Sequence, residues 1–180
     1  MKKTKYLVLS AMFAALTAIG AFMKIPVGYT SFTLQVFFTL MAGAFLGPYY
    51  GALSQLVYVL LGLIGLPIFT EGGGLMYVTK PGFGFLLGLI PAAFITGWIV
   101  RKWGHRFWLL IAAGVAGLVV IYLVGLPYLY CIVNFYLDSS ISIGKVLLSY
   151  CAIFLPFDAL KILATAILGN RLIPRLNRLN

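Results

Sequence analysis

Apolar runs about as long as a membrane span recur along this chain, separated by short polar or glycine-rich breaks. A helix crossing a hydrocarbon core about 30 Å thick needs roughly 20 apolar residues. Residues 6–23 form the first run, after Lys2, Lys3 and Lys5. A basic start followed by an apolar stretch has the outline of a secretory leader. The run is as long as a span, however, and no small-x-small cleavage site closes it, so it is expected to be the first transmembrane helix. Residues 24–32 (KIPVGYTSF) break the pattern with Pro26 and Gly28. Residues 34–46 are apolar but short for a crossing. Gly47-Pro48 predicts a tight turn, residues 51–66 a third helix, and Pro67 its end.

Residues 68–82 (IFTEGGGLMYVTKPG) cannot hold a regular helix, because each of the consecutive glycines 72–74 costs about 1 kcal/mol relative to alanine. Non-helical backbone at membrane depth is tolerated where it is buried in protein or lines a cavity. The stretch is read as a loop folding over a site, with a plain connector as the alternative. Residues 83–100 and 107–130 predict the fourth and fifth helices, flanking a basic loop with Arg101, Lys102, His105 and Arg106. Residues 131–146 are a polar connection. Residues 147–168 (LLSYCAIFLPFDALKILATAIL) predict the sixth helix, and Arg171, Arg175 and Arg178 follow.

Charge orients this pattern. With the N-terminus inside and six crossings, Lys2, Lys3, Lys5, Arg101, Lys102, Arg106, Arg171, Arg175 and Arg178 lie inside. Lys24, Lys80 and Lys145 lie outside, nine cations against three. Cytoplasmic loops carry the excess of Lys and Arg, so both termini are expected to be cytoplasmic. A five-helix reading would put the basic loop at Arg101 outside and is disfavoured. Composition agrees: the 180 residues are 63% hydrophobic and 9% charged, with a mean hydropathy of +1.08. Too little polar surface remains to cover an aqueous globule of this size. Residues 1–180 are therefore expected to be a single all-α transmembrane domain in the cell membrane. The net charge of +10 follows from topology and not from a basic face for nucleic acid.

The sixth run contains the chemistry. Asp158 and Lys161 stand near its middle, and three-residue spacing puts them on one helical face. An ionised side chain at the centre of a membrane helix costs about 2.5–3.5 kcal/mol on insertion scales, so such residues mark functional sites by default. Either the two charges merely neutralise each other, or they recognise a ligand. A carboxylate only accepts hydrogen bonds and an ammonium only donates them. Together they match a neutral group with adjacent N–H donors and a C=O acceptor, such as a urea. Pro156 removes one backbone donor, freeing a carbonyl at about Ala152 and predicting a kink. In the first helix, Ala11 with Ala15 and Ala14 with Ala18 form small-xxx-small pairs, suited either to close packing within the bundle or to docking another subunit.

Catalytic and metal signatures are missing from the sequence. The one histidine sits in the basic loop, there is no nucleophile elbow, and no Walker motif supports ATP hydrolysis by this chain. Cys131 and Cys151 form no CxxC pattern, and whether they pair is left open. The residues alone fit a solute-binding protein, a proton-coupled carrier or a small channel.

The order of Lys24-Ile25-Pro26, Thr33-Leu34-Gln35, GAFLGPYYG (43–51), Gln55, GLIGLP (62–67), glycines 72–74, PGFGFLLG (81–88) and Pro156 with Asp158 and Lys161 resembles the BioY family. Its members are the biotin-specific substrate-binding (S) components of energy-coupling factor transporters. The resemblance implies a six-helix S-component bundle that binds biotin as the transported ligand near the outer face, without a cofactor. It implies partners in a transmembrane coupling subunit and two cytoplasmic ATPase subunits. It implies docking through Ala11, Ala14, Ala15 and Ala18. On this reading Asp158 accepts from the ureido N–H groups and Lys161 donates to the ureido oxygen. Gln35 and the aromatics Phe32, Tyr77, Phe83 and Phe85 are expected nearby, and Gly73, Gly74 or Lys80 is expected to meet the ligand carboxylate. An S component for another vitamin is the alternative.

Overall fold

A computed structural model describes residues 2–139, 141–148 and 153–178. Helices dominate. Helix α1 (Lys2–Phe22) leads into a hairpin of strands β1 (Lys24–Val27) and β2 (Thr30–Thr33). The strands pair antiparallel, with Lys24 opposite Thr33 and Val27 opposite Thr30. Gly28, at φ 56°, supplies the left-handed backbone that a two-residue hairpin turn needs. The sequence shows residues 24–32 as a break; each strand has four residues, too few to show a period.

Helix α2 (Gln35–Leu63) is interrupted at Gly47, whose φ of 78° and ψ of −176° are not helical. Pro48 follows and cannot continue the hydrogen-bond ladder. The chain doubles back there. A Cβ on Gly51 would stand 2.8 Å from the Cα of Gly43, although residues eight apart in an unbroken helix are separated by about 12 Å. The Thr39 hydroxyl on one arm donates to Gln55 Oε1 on the other at 2.9 Å. Gly47-Pro48 is thus the turn the sequence predicts, and α2 consists of two antiparallel arms, 35–46 and 48–63.

A loop containing a 3₁₀ turn (Leu75–Thr79) leads to α3 (Phe83–Trp103) and α4 (Phe107–Cys131). Helix α4 runs on through a π-helical turn (Ile132–Tyr136), and α5 (Ile143–Val146) is a single turn. Asn134 shapes this connection: its side chain donates to the Ile141 carbonyl at 3.2 Å and accepts from the Ile141 N–H at 2.7 Å. Helix α6 spans Ile153–Arg178. It extends past the expected end at Leu168, so Arg171 and Arg175 stand on helix and not in a tail. It runs unbroken through Pro156, while Ala152, whose carbonyl that proline would free, and Cys151 lie outside the described residues. Among the described residues, five helices are long and apolar enough to cross a membrane, with α2 counted as one.

Small residues let these helices approach closely, as expected where lipid removes the hydrophobic drive between helices. A Cβ on Gly43 would lie 2.4 Å from the Ala93 carbonyl, and one on Gly97 would lie 2.5 Å from the Gly47 backbone, so the α2 arms press directly on α3. Gly88 brings α3 against the backbone of α4 at Ile121. Gly114 receives Ile162, seating α6 on α4. This last contact sets the height at which α6 presents its charged residues.

Candidate ligand-binding site

Asp158 and Lys161 face the interior from α6 and are 3% and 5% exposed. Lys161 Nζ lies 2.6 Å from Asp158 Oδ1, the i, i+3 contact expected from the spacing. The second carboxylate oxygen is also engaged: the Tyr122 hydroxyl on α4 donates to Oδ2 at 2.6 Å. Lys161 Nζ sits 3.8 Å from the centroid of the Phe32 ring in β2. A cation over an aromatic face is favourable by about 0.5–2 kcal/mol, more when desolvated. The hairpin therefore caps the ammonium, and α4 braces the carboxylate.

These groups line a narrow cavity of about 60 Å³. Its walls come from the hairpin (Thr30 to Thr33), the start of α2 (Gln35, Val36), α3 (Phe85, Leu86, Leu89), α4 (Ile121, Tyr122) and α6 (Phe154, Asp158, Lys161). Thr70, Tyr77 and Gly82 from the glycine loop close one side. Thr30, Ser31, Thr70, Tyr77 and Gly82 also line a wider vestibule of about 350 Å³, so the two spaces share a wall. Lys24 in β1 donates to the Thr70 carbonyl, tying the hairpin to the glycine loop. The loop does fold over a cavity.

The expected site residues separate into two groups. Asp158, Lys161, Gln35, Tyr77 and Phe85 share the inner cavity. Gln35 is buried there: its Oε1 accepts from Thr33 at 2.9 Å, and its Nε2 donates to the Tyr58 hydroxyl at 2.7 Å. Tyr77 shares a hydrogen bond of 2.6 Å with Thr70, and burial holds its phenol above its ordinary pKa. Lys80 lines only the vestibule, where it pairs with Glu71 at 3.2 Å. Gly73 and Gly74 line neither space. The Gly74 N–H is already given to the Gly62 carbonyl at 2.7 Å, and a Cβ on Gly73 would collide with the Leu66 carbonyl at 2.1 Å. These glycines serve loop closure, with Gly74 at φ 103°. Phe83 lies outside the cavity and packs edge-on against Tyr77 and Tyr128.

Sequence reasoning missed Tyr122. It is a polar position in an otherwise apolar run, but tyrosine is common in membrane helices and carries no signal of its partner. It also did not single out Thr30 and Ser31 in the break at 24–32, or Thr70 in the loop at 68–82. In α1 the alanine stripe divides. Ala14 and Ala18 are buried within the bundle, whereas Ala11 and Ala15 are exposed beside Val8, Met12 and Ile19.

Comparison with known proteins fits this geometry. Residues 1–178 match the BioY family. The chain belongs to the BioY family. Among its relatives, the probable biotin transporter BioY of Lysinibacillus sphaericus is 44% identical over 172 residues, covering 95% of this chain and 88% of that protein. The biotin transporter BioY of Thermotoga maritima is 38% identical over 172 residues, covering 93% and 95%. A crystal structure of the S-component for biotin from an ECF-type ABC transporter superposes with a TM-score of 0.82 at 29% identity, covering 95% of this chain and 92% of that one. This BioY chain is thus a multi-pass membrane protein with the S-component fold, in a family of transporters and not enzymes.

Proposed function

We propose that this BioY chain is the biotin-binding S component of an energy-coupling factor transporter, capturing biotin for uptake. The observation that carries the reading is the buried pair Asp158 and Lys161, held side by side in the wall of a cavity. A ureido ring offers N–H donors to the first and a carbonyl oxygen to the second. The pair is net neutral, so it suits a neutral head group. The apolar remainder of the ligand would lie along Phe85, Leu86 and Phe154, with Gln35 and Tyr77 at its sides and its carboxylate toward the vestibule. There Lys80 is the one lining cation among the described residues, and of the expected partners Gly73, Gly74 and Lys80 it is the one proposed to meet that carboxylate.

Six crossings with both termini cytoplasmic complete the reading. The doubling-back of α2 at Gly47 supports the count, and the excess of Lys and Arg at one end supports the orientation. The cavity then opens outside. Energy would come from a coupling subunit and two cytoplasmic ATPases, with the exposed Ala11 and Ala15 as the docking stripe. Uptake of labelled biotin into cells lacking their own importer tests this. Saturable uptake that depends on Asp158 and rises when the coupling subunit and ATPases are supplied is expected. Uptake that follows a proton gradient and ignores the ATPases would mark a carrier instead.

A further inference from the structure

We infer that Tyr122 is a positioning residue for ligand recognition, acting through Asp158. The inference rests on the biotin reading above. Each oxygen of the Asp158 carboxylate meets one protein donor at 2.6 Å, Lys161 Nζ on Oδ1 and the Tyr122 hydroxyl on Oδ2. Lys161 approaches from the same helix, so it alone leaves the carboxylate free to rotate with α6. Tyr122 approaches from α4 and fixes the plane of the carboxylate against a second helix. The Tyr122 ring is itself supported by Phe85, whose ring lies edge-on at 6.4 Å between centroids. Phe85 in turn occupies the space that a Cβ on Gly125 would fill, one turn along α4 from Tyr122.

This arrangement specifies what the ligand receives. A carboxylate has about four lone-pair sites, and two are taken by protein. The remaining two present a fixed edge, suited to N–H groups held in one rigid ring. Without the Tyr122 hydroxyl the carboxylate turns toward Lys161, the one donor left among the described residues, and pairs internally at the expense of the ligand. Hydrogen bonds to a charged acceptor contribute more than neutral ones, so loss of this one is expected to be felt clearly in binding.

The test is a double-mutant cycle on the purified full chain, with biotin binding read by calorimetry and folding read by ligand-free melting. Tyr122→Phe is expected to weaken binding about tenfold, equivalent to about 1.4 kcal/mol. Asp158→Asn is expected to weaken it more, and the double variant is expected to bind no worse than Asp158→Asn alone. Should Tyr122→Phe fail to melt cooperatively, p-aminophenylalanine and p-methylphenylalanine at 122 make the same comparison. Both fill the space of the hydroxyl, and only the first keeps a donor and the native affinity. Additive losses in the cycle, or an unweakened Tyr122→Phe, would overturn the positioning role. Failure of the native chain to bind biotin at all would instead overturn the reading on which it rests.

Discussion

Lys161 is held between the carboxylate of Asp158, 2.6 Å from its ammonium, and the ring of Phe32, 3.8 Å away. The same side chain therefore joins the charged face of α6 to the hairpin that covers the cavity. Removing either charge has two consequences, one for folding and one for binding, and they can be separated. Breaking a buried pair by deleting one partner leaves an uncompensated charge and costs about 3–5 kcal/mol, whereas replacing both by apolar groups is often neutral. Asp158→Leu and Lys161→Met alone are expected to lower stability strongly. The double variant is expected to recover most of it and still not bind biotin. Unfolding in mixed micelles beside binding measurements checks both halves.

Gln55 is a second buried polar centre, outside the cavity lining. It is fully buried, accepts from Thr39 and donates to Ser54 at 2.9 Å each, and approaches Thr17 of α1 at 3.3 Å. It joins both arms of α2 to α1. Gln55→Leu is expected to destabilise by about 1–3 kcal/mol, since hydrogen bonds between membrane helices average about 0.6 kcal/mol each and reach about 1.7. Thr17 and Ser54 retain backbone partners at Phe13 and Gly51, which limits the loss. Biotin affinity of the folded fraction should change by less than about threefold, a difference of under 1 kcal/mol.

Close helix contact at α2 and α3 leaves no room for side chains. Gly43→Leu and Gly97→Leu would each drive carbon into backbone at 2.4–2.5 Å. Overpacking of this kind typically costs about 1–3 kcal/mol, occasionally more. Both variants are expected to yield less folded protein in size-exclusion chromatography than Gly144→Leu, where nothing lies within 4 Å.

Lys80 and Glu71 stand half-exposed at the vestibule, with side chains 52% and 46% accessible. Exposed pairs contribute about 0–1 kcal/mol and are screened by salt. Lys80→Ala is therefore expected to weaken biotin binding by no more than about fivefold, and the difference should shrink as salt rises. Titrations at low and high ionic strength check this.

The fold was legible where one residue type decides the local structure. Gly47-Pro48 marked the reversal of α2, and two charges in an apolar run marked α6. Partners drawn from other helices were not legible. Tyr122 meets Asp158 only because Gly114 seats Ile162 and fixes how α6 lies on α4. The glycines at 73 and 74 drew attention as donors for an anion, but the Gly74 N–H is given to the Gly62 carbonyl and Gly73 is pressed against the Leu66 carbonyl. The alanine stripe had two readings from spacing alone; Ala14 and Ala18 are buried within the bundle, and Ala11 and Ala15 are exposed. The hairpin at 24–33 was hidden because its pattern is too short to show a period.

The most direct test of biotin capture is calorimetric titration of biotin into the purified chain, beside Asp158→Asn and Lys161→Ala. Tight one-to-one binding by the native chain, weakened at least tenfold in each variant (about 1.4 kcal/mol), is the expected result. Binding of equal strength in all three would contradict the assignment of the buried pair to the ligand, and no binding by the native chain would contradict biotin itself.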